Sequence, residues 1–281
     1  RQPFCGDIDL EKLERRLTAD KQVGLVILTL TSNIHGGQPV SLKAMRATRR
    51  LTRKYNIPLF FDASRFAGNT YLLKENTGSK SSLRVLCRKQ FDLCDGAYLS
   101  CKKDGLVYIG GCMMTRSKHL HQEILQEVIR QESFPHAGGL AARDMAAMRI
   151  GMQQALDARF LRYHIQSVRH LAARLIERQV RVFEPVGAHA VIVTPPDDTA
   201  FSAYALAAAV FLDSGIRGGV FHNGYRLAIP RRVYTLQHLD FVADRVARVY
   251  HKPLPRLVCT YRPRKFSNFF VRFTPRGHRR T

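Results

Sequence analysis

The stretch VGLVILTLT at residues 23–31 is a near-continuous run of β-branched and other apolar residues. Such a run suggests a strand buried on both faces of a sheet. It gives way to the polar turn Ser32-Asn33-Ile34-His35-Gly36-Gly37-Gln38-Pro39, whose glycines permit tight backbone geometry. Ser41 is then a candidate N-cap for the basic stretch from Leu42 to Tyr55, where Leu42, Met45 and Leu51 fall near helical spacing. A second apolar run, Ile57-Pro58-Leu59-Phe60-Phe61, stops at Asp62. Strand, turn, helix and strand in succession form a βαβ unit, which predicts a mainly parallel sheet. Asn33 and Asp62 are therefore expected at the carboxyl ends of strands, the edge where open α/β sheets bind ligands.

Downstream, Gly96–Ser100 and Leu106–Ile109 read as two short strands, with Cys112-Met113-Met114-Thr115 continuing the second. Between them lies Cys101-Lys102-Lys103-Asp104-Gly105. From Gly139 to about Val180 the pattern is helical and free of proline. A short strand follows over Val186–Thr194, and then a helix over Ala203–Leu212. Leu239, Val242, Val246 and Val249 mark an amphipathic helix near the end. The tail from Pro263 to Thr281 is basic with interleaved Phe, and is either disordered or tucked against the rest.

The 281 residues allow one large domain or two ordinary ones. Hydrophobic residues at 45% and charged ones at 24% are those of a globular protein, and no apolar run is long enough for a membrane span. Lys and Arg number 45 against 22 Asp and Glu, a net charge of +23 that raises nucleic acid as a partner. The arginines, however, are scattered through predicted helices and loops rather than gathered on one module, so no specific nucleic-acid partner is expected. The six cysteines form no Cys-x-x-Cys pair, which argues for reduced thiols and against a zinc site.

Certain residues are suited to chemistry. An adjacent pair such as Lys102-Lys103 is most often a solvated surface. A lysine made nucleophilic by burial and a neighbouring cation can instead form a Schiff base. Asp62, with Arg65 three residues on, reads either as a turn or helix cap or as the carboxylate that keeps a pyridine nitrogen protonated. Asn33 beside Gly-Gly-Gln-Pro reads as a plain loop or as part of a ligand site.

Taken in order, these segments resemble one family. Asn33 to Ser41, Phe61-Asp62-Ala63-Ser64-Arg65, Ser100-Cys101-Lys102-Lys103-Asp104 and Ile109-Gly110-Gly111 follow the order and near spacing of the tyrosine phenol-lyase and tryptophanase family. Gly138-Gly139-Leu140-Ala141, Arg143-Asp144-Met145, Pro185-Val186-Gly187, His189-Ala190 and Arg226 to Thr235 continue the match, which runs from about Pro3 to Phe273. The resemblance implies an α/β fold of the aspartate-aminotransferase type (fold type I of pyridoxal phosphate enzymes). Residues 1–155 would then be the carboxyl-terminal part of a large domain with a mainly parallel sheet, and 156–281 a smaller α+β domain. It also implies pyridoxal phosphate, a monovalent cation such as potassium, a cytoplasmic homotetramer and an amino-acid substrate.

By the same resemblance Lys103 is the Schiff-base lysine and the natural base for the α-proton, with Lys102 its polar neighbour. Ser100 falls on a phosphate-binding position and Asp62 on the partner of the ring nitrogen. Arg65 and Asn33 fall on groups that bind the ring's phenolic oxygen. Arg226 falls on the arginine that takes the substrate α-carboxylate, for which a bidentate guanidinium is well suited. The implied reaction is β-elimination of an aromatic amino acid to pyruvate, ammonia and the leaving group.

Some positions depart from the family pattern. Family members carry a further amino-terminal part before the point matched by Arg1, so a fragment is expected. Cys101 replaces a glycine, and Tyr108 an asparagine at a cation-site position. The segment Arg217–Arg226 is shortened, and Asn268 replaces the Phe or His of the two branches. No leaving-group reader divides phenol from indole, although Ile229 to Thr235 stands nearer the phenol-lyase branch. The alternatives are a truncated, inactive homologue acting as a binding protein, or an aminotransferase of the same fold.

Overall fold

The computed structural model describes residues 3–20, 22–221, 223–265 and 270–276. Two compact units emerge, one made of the chain through Asn33 with Gly37–Ile165, the other of Ile34–Gly36 with the chain from Gln166 onward.

The first unit begins with helix α1 (Leu10–Ala19), capped by Asp9, and strand β1 (Val26–Thr29). Helix α2 (Leu42–Lys54) follows, with Ser41 accepting the Ala44 N–H at its start as the sequence predicts. Strand β2 (Leu59–Asp62), helices α3 (Phe66–Thr77) and α4 (Leu83–Phe91), and strand β3 (Gly96–Ser100) complete a second crossover. Strand β4 (Gly111–Thr115) then returns alongside β3. The sheet order is β1-β2-β3-β4, with β1, β2 and β3 parallel and β4 antiparallel. Register pairs Thr29 with Asp62 and Asp62 with Tyr98, so three strands end on one edge.

Two strand expectations need correction. β1 is buried on one face only: Val26 and Leu28 are buried while Ile27 is 46% exposed. Leu106–Ile109 is loop, because Leu106 sits at φ 57° and Gly110 at φ 99°, outside the range of a strand. The ladder with β3 starts at Gly111.

Helix α3 has no amphipathic stripe. Phe66, Asn69, Thr70, Leu72 and Leu73 are all buried, so both faces are covered. Its buried polar groups pair with each other and with neighbouring backbone. Asn69 accepts the Val40 N–H at 2.8 Å and donates to Gln90, which donates to Thr70 at 2.7 Å. This network ties the segment after β1 to α3 and α4.

Helices α5 (Lys118–Glu132), α6 (Ala142–Gln154) and α7 (Ala158–Glu177) follow. The single helical stretch expected from Gly139 to Val180 is broken near Asp157, whose carboxylate accepts the Phe160 N–H and starts α7 afresh. Leu161 of α7 belongs to the first core, with Leu30, Met45, Leu59 and Phe61. Val168, Leu171 and Leu175 belong to the second.

The second unit contains β5 (Ala190–Val193), α8 (Ser202–Ser214), β6 (Gly219–Phe221), β7 (Gly224–Ala228) and α9 (Leu236–Tyr250). Its three strands form an antiparallel sheet in the order β5-β7-β6. Strand β9 (Arg272–Pro275), in the basic tail, pairs as an antiparallel ladder with β8 (Leu257–Tyr261) just before it. Asn268, at the leaving-group position of the family pattern, lies outside the described residues. Among the described residues no helix is long and apolar enough to cross a membrane.

Candidate functional site at the carboxyl edge of the sheet

The parallel strands converge on a polar edge. Asp62 is the last residue of β2, and its side chain is half-buried. Its Oδ1 accepts the Ser64 hydroxyl at 2.8 Å and the Ser64 N–H at 3.2 Å. The same Ser64 hydroxyl oxygen accepts the Ser100 N–H at 3.1 Å, across to the end of β3. Ser64 thus joins the two strand ends that carry Asp62 and Ser100. The Ser100 hydroxyl is itself buried and has no hydrogen-bond partner. A buried polar group in that state asks for an explanation.

Immediately beyond Ser100 the chain makes the lysine turn. Lys103 N–H reaches the Ser100 carbonyl, and the Lys103 carbonyl accepts the Leu106 N–H at 3.1 Å. Cys101, where the family pattern has glycine, is wholly buried in the first core. Its N–H donates to the Gly110 carbonyl and its own carbonyl accepts from Val107. Lys102 is exposed and Lys103 half-buried. Gly151 of α6 packs so tightly on this turn that a Cβ there would lie 1.9 Å from the Gly105 carbonyl oxygen.

The other predicted residues occupy defined places. Arg65 is the residue before the first turn of α3, three positions after Asp62. Asn33 lies in the turn that leaves β1, closed by Ser32 N–H to the Gln38 carbonyl at 2.9 Å and Gly37 N–H to the Ser32 carbonyl at 2.7 Å. Gly36 and Gly37 hold φ of 68° and 86° there, which explains the glycine pair. Tyr108 is 98% exposed in the loop before β4.

Arg226 belongs to the second unit, on the central strand β7, paired with Ile192 and Gly219. Its guanidinium stands 4.6 Å from the centre of the Phe221 ring. Burial depresses its pKa below the usual arginine range. In the first unit, burial and then the Asp62 charge raise the Tyr98 phenol above its ordinary value. Among the described residues no group of three or more His, Cys, Asp or Glu converges as a metal site does.

Sequence reasoning expected Asn33 and Asp62 at the carboxyl ends of strands and Lys102-Lys103 in a turn leaving a strand. It assigned no role to Ser64 or Asp104, although both lie inside the quoted motifs. The only signal for Ser64 was a hydroxyl two residues after Asp62; for Asp104, a carboxylate directly after the lysine pair.

A solved structure of ornithine delta-aminotransferase from Plasmodium falciparum superposes with a TM-score of 0.54 at 17% identity, over 86% of this chain and 60% of that one. That likeness defines the class of fold as the aminotransferase type expected from the sequence. The sequence model of the beta-eliminating lyase family matches residues 1–245, and the chain belongs to that family. It is 37% identical to a tyrosine phenol-lyase of Clostridium tetani over 301 residues, 96% of this chain and 65% of the relative. It is 38% identical to a tryptophanase of Salinibacter ruber over 270 residues, 86% of this chain and 57% of the relative. The chain spans less than two thirds of the length of these two curated relatives.

Proposed function

We propose that this chain carries the lysine side of a pyridoxal-phosphate-dependent lyase that removes the β-substituent of an aromatic amino acid. The observation that carries the reading is the Ser64 hydroxyl, which links Asp62 to the Ser100 N–H at the edge where the lysine turn begins. The donor set suits the cofactor. The buried Ser100 hydroxyl lacks a partner, as a phosphate-binding hydroxyl does without its ligand, and Asp62 has one oxygen outside the Ser64 contacts.

Pyridoxal phosphate, when bound, supplies an electron sink conjugated to the substrate α-carbon. In this reading Lys103 would hold the cofactor through its amine and would serve as the base for the substrate α-proton, with Lys102 as its polar neighbour. Asp62 would keep the ring nitrogen protonated, Arg65 and Asn33 would donate to the ring phenolic oxygen, and Ser100 would bind phosphate. Arg226 binds the α-carboxylate through its planar fork. The net reaction consumes one water: amino acid and water become pyruvate, ammonia and the protonated aromatic leaving group. Residues 1–155 are assigned to the large domain and 156–281 to the smaller one. A homotetramer, a potassium ion near Tyr108 and a cytoplasmic location belong to the same proposal.

The test is capture of added pyridoxal phosphate by the purified chain, fixed with borohydride and located by peptide mass spectrometry. Pyruvate release from tyrosine and from tryptophan is assayed in parallel. Label on Lys103, absent in Lys103→Ala, supports the reading, and pyruvate from one amino acid selects the substrate. Label elsewhere, or retained in Lys103→Ala, overturns the lysine assignment.

A further inference from the structure

Helix α3 begins without a cap of its own. Arg65 occupies the N-cap position and makes no side-chain cap hydrogen bond. The first N–H groups of a helix have no intrahelical partner and need one when buried. Here the partner comes from far along the chain. Asp104 is 2% exposed, and its Oδ2 accepts the N–H of Ala67 at 2.8 Å and of Gly68 at 3.4 Å. These are the second and third residues of α3, the positions a capping side chain serves. The negative carboxylate also complements the positive end of the helix dipole. On the backbone side, the Asp104 N–H donates to the Ser64 carbonyl at 3.4 Å.

Asp104 is the residue directly after Lys103. Its two attachments therefore pin the lysine turn to the segment Ser64–Gly68, which itself holds Asp62 through the Ser64 hydroxyl. Capping from a distance also leaves the N-cap position to an arginine, which cannot accept a hydrogen bond. We propose that Asp104 is a positioning residue: it sets the backbone of Lys103 relative to Asp62 by capping α3 from the lysine turn. The chemical use of that placement rests on the pyridoxal phosphate reading above; the placement itself does not.

The experiment therefore has one arm without cofactor and one with it. Amide hydrogen exchange of the full chain is compared for wild type, Asp104→Ala and Asp104→Asn, with Asp95→Ala as a destabilised control. Asp104→Ala is expected to raise exchange together in the peptides over residues 66–72 and 100–106, with Asp104→Asn in between because an amide oxygen still accepts. Asp95→Ala should leave that paired pattern unmoved. In the second arm, the rate of borohydride-fixed labelling at Lys103 should fall about tenfold in Asp104→Ala, the worth of a charge-assisted hydrogen bond, and recover in part in Asp104→Asn.

Exchange that rises over 66–72 alone, or labelling equal to wild type, overturns the positioning role. Should Asp104→Ala fail to fold, Asp104→Asn carries both arms. If wild type takes no label, the cofactor reading fails, and the exchange arm still decides whether Asp104 couples the two segments.

Discussion

At the amino ends of β2 and β3, Asp95 is held from several sides: Arg49 forks onto both carboxylate oxygens, and the Leu59 N–H adds a bond at 2.8 Å. The Asp95 N–H returns to the Leu59 carbonyl at 2.8 Å, and its own carbonyl accepts the Arg116 N–H from beyond β4. At the carboxyl ends of the same strands, among the described residues, Asp62 accepts hydrogen bonds from Ser64 alone, through one oxygen. Both aspartates follow or precede a buried apolar strand, yet their surroundings are opposite. One end of the sheet is a clasp whose charge is matched by a guanidinium. The other keeps a carboxylate oxygen and a buried Ser100 hydroxyl uncommitted. On the proposed reading, the groups left for a ligand at the carboxyl edge are not also used in holding the fold.

The comparison can be broken by exchanging the roles. The largest effect is expected at the uncommitted end. Under the proposed function, Asp62→Asn should lower pyruvate release by about 10²–10³-fold, the usual effect of removing one preorganised electrostatic partner, with little change in the unfolding midpoint. A midpoint falling as far as in an Asp95 variant would erase the distinction between the two ends.

The next effect is on stability. Asp95→Ala should cost about 1.5–3 kcal/mol in urea unfolding, as expected for hydrogen bonds to a charged group, with labelling of Lys103 unchanged per folded molecule. Its pH dependence has a definite sign. Burial works against the Asp95 charge, but the Arg49 and Leu59 hydrogen bonds and the Arg49 and Arg53 charges outweigh it, so the folded pKa lies below the ordinary value. A carboxylate of this kind stabilises the fold above its unfolded pKa, and that contribution is lost as pH falls through the lower folded pKa. Unfolding midpoints measured on acidification should fall through this window in wild type and less steeply in Asp95→Ala.

The smallest effect belongs to Ser64. Ser64→Ala removes the link between Asp62 and Ser100 and should cost about 1 kcal/mol, the net worth of a neutral hydrogen bond. It sharpens the contrast if labelling at Lys103 slows more than the stability change alone explains. Equal labelling would make the Ser64 bridge a matter of folding only.

Much of this sheet was legible in the chain. The apolar runs at 23–31 and 57–61 mark β1 and β2, and the switch from a near-continuous apolar run to helical spacing marks α2 between them. α3 was not legible, because its first two turns are buried on both faces and alternate Phe, Asn, Thr and Leu without a stripe. Its polar core residues are paired across distance, Asn69 with Val40 and Gln90, and no local pattern records such pairing. One-sided burial of β1 was also out of reach, since an apolar run does not say which of its faces is covered.

The candidate site divides the same way. Asp62, Ser100 and Lys103 could be named from the chain because strand ends and adjacent residues are local facts, and a family pattern preserves their order. The roles of Ser64 and Asp104 came only with the tertiary structure. Ser64 meets Ser100 across 36 residues and Asp104 meets Ala67 across 37, contacts that exist only once parallel strands bring their carboxyl ends side by side. Short-range patterning selects strand and helix because it governs which face can leave water. The partners of polar side chains at a sheet edge are chosen by the crossing of distant segments, which the order of residues does not state.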